Sequence, residues 1–312
     1  MPEVVWPSSS EVHAAVAQRI RHLLDEHGGL IADFGRRTMS VGHGVLSDDP
    51  HSFTAVVIPG ACLTAGADWH AALWPTAAAE CMMAAADLFD DVADADPGNP
   101  AAASPAVALT AAAGLLSLAA VAVVRVTEDA APPTTAVALA DLLGTEFARA
   151  ANGQAANLQP AQPIDAITAY LQAAAKSGPL GSLMAQLGAR TAIDDAEIVN
   201  LLGQFGRCLA VRSQLLNDAR DAAPDAADAK SDVRAGARTV PLAFTHSTGA
   251  PPGLSDVELA AWEPRERARV AAGGGLIAAQ ALAEAERLRA IQALDELERL
   301  GRPVAGLRAL VE

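Results

Sequence analysis

Residues 80–96 read ECMMAAADLFDDVADAD, an apolar run that closes on Asp87, Asp90, Asp91, Asp94 and Asp96. On a helix Asp90 and Asp94 lie four residues apart and project from one face, with Asp91 on a neighbouring face. At an effective dielectric near 20, two unit charges roughly 4 Å apart repel by about 4 kcal/mol, so such a helix end needs water or cations to neutralise it. Hard oxygen donors in this pattern suit Mg²⁺, which takes one or two protein carboxylates and completes its shell with water and substrate phosphates. A solvated terminus closed by Pro97 and Gly98 is the competing reading, although carboxylates at a helix C-terminus oppose the helix dipole.

A second acidic stretch, QLLNDARDAAPD at 214–225, ends a helix expected from Ala196 to about Ala223 and capped by Asp194 and Asp195. Here Asn217 and Asp221 are four apart, and Asp218 and Asp221 three apart. Lys230, Arg234 and Arg238 follow at spacings of four, which predicts three cations on one face of a helix near Ala229–Phe244. Two oxygen-rich patches and a basic stripe match the needs of a diphosphate, with Mg²⁺ bridging carboxylate and phosphate oxygens. Each feature alone also reads as a solvated end or face.

The rest of the 312 residues is alanine-rich and poor in aromatics, with no alternating runs of β-branched residues, so the expected class is all-α, one large helical bundle over residues 1–312. Further helices are expected over 11–27, 54–64, from Pro75 through the first acidic cluster, 135–157, 164–190 with a kink at Gly178 and Pro179, 256–262 and 264–300. Acidic residues outnumber basic ones 37 to 22, for a net charge of −15, which argues against a nucleic-acid surface or a polybasic membrane anchor. Cys62, Cys81 and Cys208 are widely spaced and odd in number, as expected of reduced, buried thiols in a cytoplasmic protein. The N-terminal residues lack the pattern of a signal peptide. The uncharged run Ala106–Val124 has the length of a membrane span but consists mostly of alanine, and is read as a helix buried on all sides of the bundle rather than an integral membrane segment. His13, His22, His27 and His43 form no ligand pattern and are expected at the surface or at caps.

Taken together, these stretches resemble the polyprenyl synthetase family, the isoprenyl diphosphate synthases and the terpene synthases that share their all-α fold, with a central active-site cavity. The likeness runs from about Leu73 to Leu288. LFDDVAD is similar to the first aspartate-rich motif, with Asp90, Asp91 and Asp94 in the acidic places, and QLLNDARD to the second, with Asn217 where aspartate is usual. KSDVRAGARTVPLAF resembles the stretch after it. GQAANL at 153–158 and KSG at 176–178 resemble two further signatures, with Asn157 and Ser177 in place of Asp and Thr. The resemblance implies that Asp90, Asp91, Asp94, Asn217, Asp218 and Asp221 hold Mg²⁺, and that Asp90, Asp94, Asn217 and Asp221 serve catalysis. It implies that Lys176, Lys230 and Arg238 grip an allylic prenyl diphosphate, with Gln154 and Gln214 beside it. Met82, Ala86 and Phe89 would line the apolar chamber, their alternative being ordinary helix packing. A homodimer is implied in the same way.

One departure bears on the reaction. Elongating members carry a Gly-Lys-x-x-Arg stretch before the first motif and an Arg pair after it. Residues 52–73 contain no Lys or Arg, and Asn99 and Pro100 stand near the place of the pair. A second diphosphate would meet no evident cations, so the expected function is a Mg²⁺-dependent class I terpene synthase acting on farnesyl or geranylgeranyl diphosphate. The alternative is a chain-elongating prenyltransferase, and a further alternative a non-catalytic partner subunit.

Overall fold

The computed structural model describes residues 6–41, 44–93, 104–158, 164–226 and 232–312. Among these every regular element is helical: α1 Ser9–His27, α2 Gly29–Ser40, α3 Phe53–Ala65, α4 Leu73–Ala93, α5 Pro105–Val124, α6 Pro133–Asn157, α7 Ala166–Ala192, α8 Ala196–Asp221, α9 Asp232–Ala235, α10 Val240–Phe244, α11 Asp256–Ala272, α12 Gly275–Arg299 and α13 Ala305–Arg308.

Local chemistry accounts for most boundaries. A capping box of Ser8 and Glu11 opens α1, and another of Ser255 and Glu258 opens α11. Gly28 and Gly29, expected as a plain stop, both take positive φ and turn the chain into α2, which the sequence pattern did not predict. The helix expected over 164–190 forms as α7, Ala166–Ala192, unbroken through Gly178 and Pro179. The proline removes one N–H bond, and the buried apolar residues that follow it, Leu183, Met184 and Leu187, keep the helix in place. Pro264 likewise lies inside α11, and the break falls instead at Gly273 and Gly274. The helix expected near Ala229–Phe244 is two short pieces, because Gly236 at φ 66° turns between them, where a Cβ would come within 2.6 Å of the Thr248 carbonyl.

The chain packs as two compact units, Met1–Thr145 with Ser182–Gly206 and Ala293–Glu312, and Glu146–Gly181 with Arg207–Gln292. In the first unit α4 packs against α1, α2, α3 and α5. Small residues let these backbones close in: a Cβ at Gly188 on α7 would meet the Ile58 carbonyl of α3 at 2.0 Å. Trp74 is fully buried, with the guanidinium groups of Arg19 and Arg125 at 4.9 and 5.2 Å from its ring. The three cysteines are buried and form no disulfide.

Two expectations change here. Helix α5 is not buried on all sides. Ala108, Ala111, Ala112, Leu115, Leu118, Ala119, Ala122 and Val123 form its buried stripe, while Leu109 and Val124 on the other face are exposed. With the turn that follows it, Pro105–Thr127 is long and apolar enough to cross a membrane, and in the structure it packs on α2 and α4. His13 is buried rather than superficial, because its Nε2 accepts the Ser52 amide at 3.0 Å and its Nδ1 lies 2.6 Å from the Ser9 carbonyl. In the second unit Val211, Leu215 and Ala219 of α8 pack with Ala169 and Ala174 of α7, Val240 and Ala243 of α10, and Ala279 and Ala283 of α12.

Candidate active site

Asp90 and Asp91 occupy the last turn of α4, half-buried, while Asp87 one turn earlier is exposed. Asp94, Asp96, Asn99 and Pro100 lie outside the described residues. Towards the start of α4, Phe89 and Ala86 are half-buried and Met82 is fully buried, the gradient expected of a helix running from an open acidic end into an apolar interior. Glu80 lies on the same side as Asp91, since eleven residues make three turns, about 16 Å along the axis. Its carboxylate accepts the Ser52 hydroxyl. Burial pushes the Glu80 carboxyl up to about 7 against that hydrogen bond, and Asp87 adds to the rise.

The second acidic cluster belongs to the second unit, where several of the sequence-identified residues converge. A Cβ at Gly153 on α6 would meet the Ala175 carbonyl oxygen of α7 at 2.4 Å and the Lys176 amide nitrogen at 2.6 Å. Glycine at this place lets the backbone of α6 touch that of α7 at Ala175 and Lys176. From α7, the Ser177 hydroxyl donates to Gln214 Oε1 at 3.1 Å, and Gln214 Nε2 donates to Asp218 Oδ1 at 2.7 Å. Asp218 is 3% exposed. Burial pushes its carboxyl up to about 7, with Asp232 and Asp221 adding to the rise while Gln214 and Lys176 oppose it. Asn217 and Asp221 have more open positions on the last turn of α8, where Asn217 Nδ2 donates to Asp221 Oδ2 at 3.2 Å. Arg238 Nη1 donates to the Ala156 carbonyl at 3.4 Å, so the GQAANL stretch and this arginine do meet.

The basic stripe does not form as expected. Lys230 lies outside the described residues, and Arg234 and Arg238 fall on either side of the Gly236 turn, so they share no helical face. Arg234 forms an ion pair with Glu263 of α11 at 2.6 Å. Glu263 and Arg267, both buried, were not identified from sequence, because an i,i+4 Glu–Arg pair reads as solvated surface. Ser52 and Glu80 were missed as well, since 28 residues separate the partners.

No family model matches the sequence, and no curated protein does. Solved structures match it along nearly its whole length. A polyprenyl synthetase from Streptomyces coelicolor A3(2) superposes with a TM-score of 0.78 at 18% identity over 97% of both chains. A heptaprenyl diphosphate synthase from Staphylococcus aureus gives 0.77 at 15% identity over 98% of both. The chain has the polyprenyl synthetase fold. A further structure with the polyprenyl synthetase fold, a geranylgeranyl pyrophosphate synthase from Corynebacterium glutamicum complexed with isoprenyl diphosphate and magnesium, gives 0.76 at 18% identity over 98% of both. At these identities the likeness establishes the fold. On this fold the donors present suit a hard cation: Asp90 and Asp91 at the end of α4, and the Asn217 amide oxygen with the Asp221 carboxylate at the end of α8. Among the described residues no group of three or more His, Cys, Asp or Glu is placed to hold a metal ion.

Proposed function

We propose that this protein is a divalent-metal-dependent enzyme that ionises an allylic prenyl diphosphate. The observation that carries the reading is the cluster at Gly153, where α6 packs closely on the α7 backbone at Ala175 and Lys176, and the adjoining Ser177 begins a hydrogen-bonded chain with Gln214 and Asp218. Lys176 and Arg238 bind diphosphate oxygens, with Lys230 as a third cation. Asp90, Asp91 and Asp94, and Asn217, Asp218 and Asp221, hold Mg²⁺, which when bound supplies charge neutralisation for the departing diphosphate. Ser177 and Asp218 fix the amide of Gln214, so that its dipole faces the reacting end of the chain in one orientation. Met82, Ala86 and Phe89 exclude water from the hydrocarbon. All four boundaries between the two compact units fall inside helices α6, α7, α8 and α12, which supports treating residues 1–312 as one functional domain. We place this enzyme in the cytoplasm, from its widely spaced and odd-numbered cysteines, and as a homodimer by the sequence resemblance.

Two reactions can follow ionisation. The neighbouring structures favour chain elongation by prenyl transfer, because those named are prenyl diphosphate synthases. The absence of Lys and Arg over residues 52–73 favours a terpene synthase, and α3 within that span is buried along almost its whole length. The comparisons move the balance to prenyl transfer, and the cation distribution keeps terpene synthesis as the second reading. Incubation with Mg²⁺ and geranyl, farnesyl or geranylgeranyl diphosphate, with and without isopentenyl diphosphate, separates them. Under the first reading a longer prenyl diphosphate forms only when isopentenyl diphosphate is present. A hydrocarbon or terpene alcohol from a single allylic diphosphate selects the second. Absence of diphosphate release in every mixture overturns both.

A further inference from the structure

Arg267 sits in a helix whose sequence looks like surface, yet it is 4% exposed and its guanidinium is engaged on both edges. Nε and Nη2 donate to Glu263 Oε1 at 3.1 and 2.8 Å. Nη1 donates to the carbonyl oxygen of Asp221, and to that of Ala223 at 3.2 Å. The second carboxylate oxygen of Glu263 takes Arg234 Nε and Nη2 at 3.1 and 2.6 Å. An Arg–Glu–Arg triad therefore ties α11 to the last carbonyls of α8 and to α9. The Asp221 carbonyl lies at the end of α8, where a helix runs out of its own N–H partners, and a guanidinium there offsets both the negative end of the helix and the carboxylates around it.

Two features separate this triad from a generic stabilising pair. Buried ion pairs can often be replaced by well-packed apolar groups without loss of stability, so stability alone does not call for one. In addition, Arg267 Nη1 donates to the backbone carbonyl of Asp221, whose side chain is hydrogen-bonded to Asn217. We infer that Arg267 and Glu263 are positioning residues that clamp the last turn of α8, so that Asn217 and Asp221 present their oxygens to a divalent cation in a fixed geometry. The inference rests on the reading of α8 as a metal-bearing helix. Partners of this indirect kind typically change metal affinity by about 10–100-fold when replaced.

The test uses the full chain without turnover. Arg267→Lys keeps the charge and most of the stem but loses the planar fork that spans Glu263 and the two carbonyls. Glu263→Gln removes the charge that holds both arginines. Arg287→Ala, which breaks a pair with Glu284 on α12, is the control. Calorimetric titration with Mg²⁺ and inorganic pyrophosphate should show binding weakened about tenfold or more in the first two variants and unchanged in the control. Amide hydrogen exchange over residues 214–222 should quicken in the same two while their melting stays cooperative. Should Glu263→Gln fail to melt cooperatively, Arg267→Lys alone decides. Unchanged exchange and unchanged binding in Arg267→Lys overturn the clamp. If the wild-type chain itself binds no magnesium pyrophosphate, the functional reading fails, and the exchange rates then uphold or overturn the clamp independently.

Discussion

Helices α4 and α8 both end on carboxylates, against the direction of the helix dipole, and the two ends are held in different ways. The end of α8 is gripped from outside by Arg267, which lies 46 residues further along the chain and bonds the carbonyl of Asp221. Helix α4 is fixed about three turns upstream of its acidic end, where Glu80 accepts the hydroxyl of Ser52, and the Ser52 amide in turn donates to His13. Similar sequence signatures therefore rest on a buried cation network in one unit and on a buried, largely uncharged relay in the other. Only the first directly neutralises the acidic end it supports.

The sharpest way to break this comparison is to remove one carboxylate from each end. Asp90→Ala and Asp221→Ala should each lower diphosphate release by at least about 100-fold, roughly 3 kcal/mol of transition-state stabilisation, while both variants melt as the wild type does. A loss at one end only would show that the two clusters do not share a task, and full turnover in excess chelator would show that neither holds an essential metal.

A smaller effect probes the α4 relay. Below about pH 4.5 Glu80 carries its proton in both the folded and the unfolded chain. Between there and about pH 7 the folded chain keeps a proton that the unfolded chain has released, so stability falls as pH rises through this window. The fall attributable to Glu80 is on the order of 3 kcal/mol, and Asp218 adds a slope of the same sign. Glu80→Gln should flatten the pH dependence of urea midpoints measured from pH 5 to 8 and leave the Asp218 share. An unchanged slope would mean that Glu80 ionises normally and that the relay is not buried in solution.

The smallest expected effects concern the cations. Arg238→Ala should weaken pyrophosphate binding by about 1.5 to 3 kcal/mol, as expected for hydrogen bonds to a charged group, whereas Arg265→Ala, exposed on α11, should change it by less than about 0.5 kcal/mol. Equal small changes would mean that Arg238 does not bind pyrophosphate.

Much of this was legible in the residues alone. Alanine content and helical periodicity predict an all-α chain, and Asp90 and Asp91, and Asn217, Asp218 and Asp221, fall in last turns of helices as the sequence pattern predicts. Helix boundaries at prolines and glycines were read less well. Pro179 and Pro264 stay inside helices, and Gly236 breaks one, since a single lost hydrogen bond is outweighed by burial whereas a left-handed backbone cannot continue a helix.

The sequence by itself determined the fold class and the places along the chain where acidic oxygens cluster, because both depend on local period and spacing. Tertiary structure alone decided which of these groups are buried and what holds them. It turned Arg234 from a member of an expected basic stripe into a partner of Glu263, brought Gly153 against Ala175, and seated Arg267 on the end of α8. Each of those contacts joins residues more than twenty positions apart, and at such separations no periodicity in the chain specifies who meets whom; only the packing of one helix face against another does.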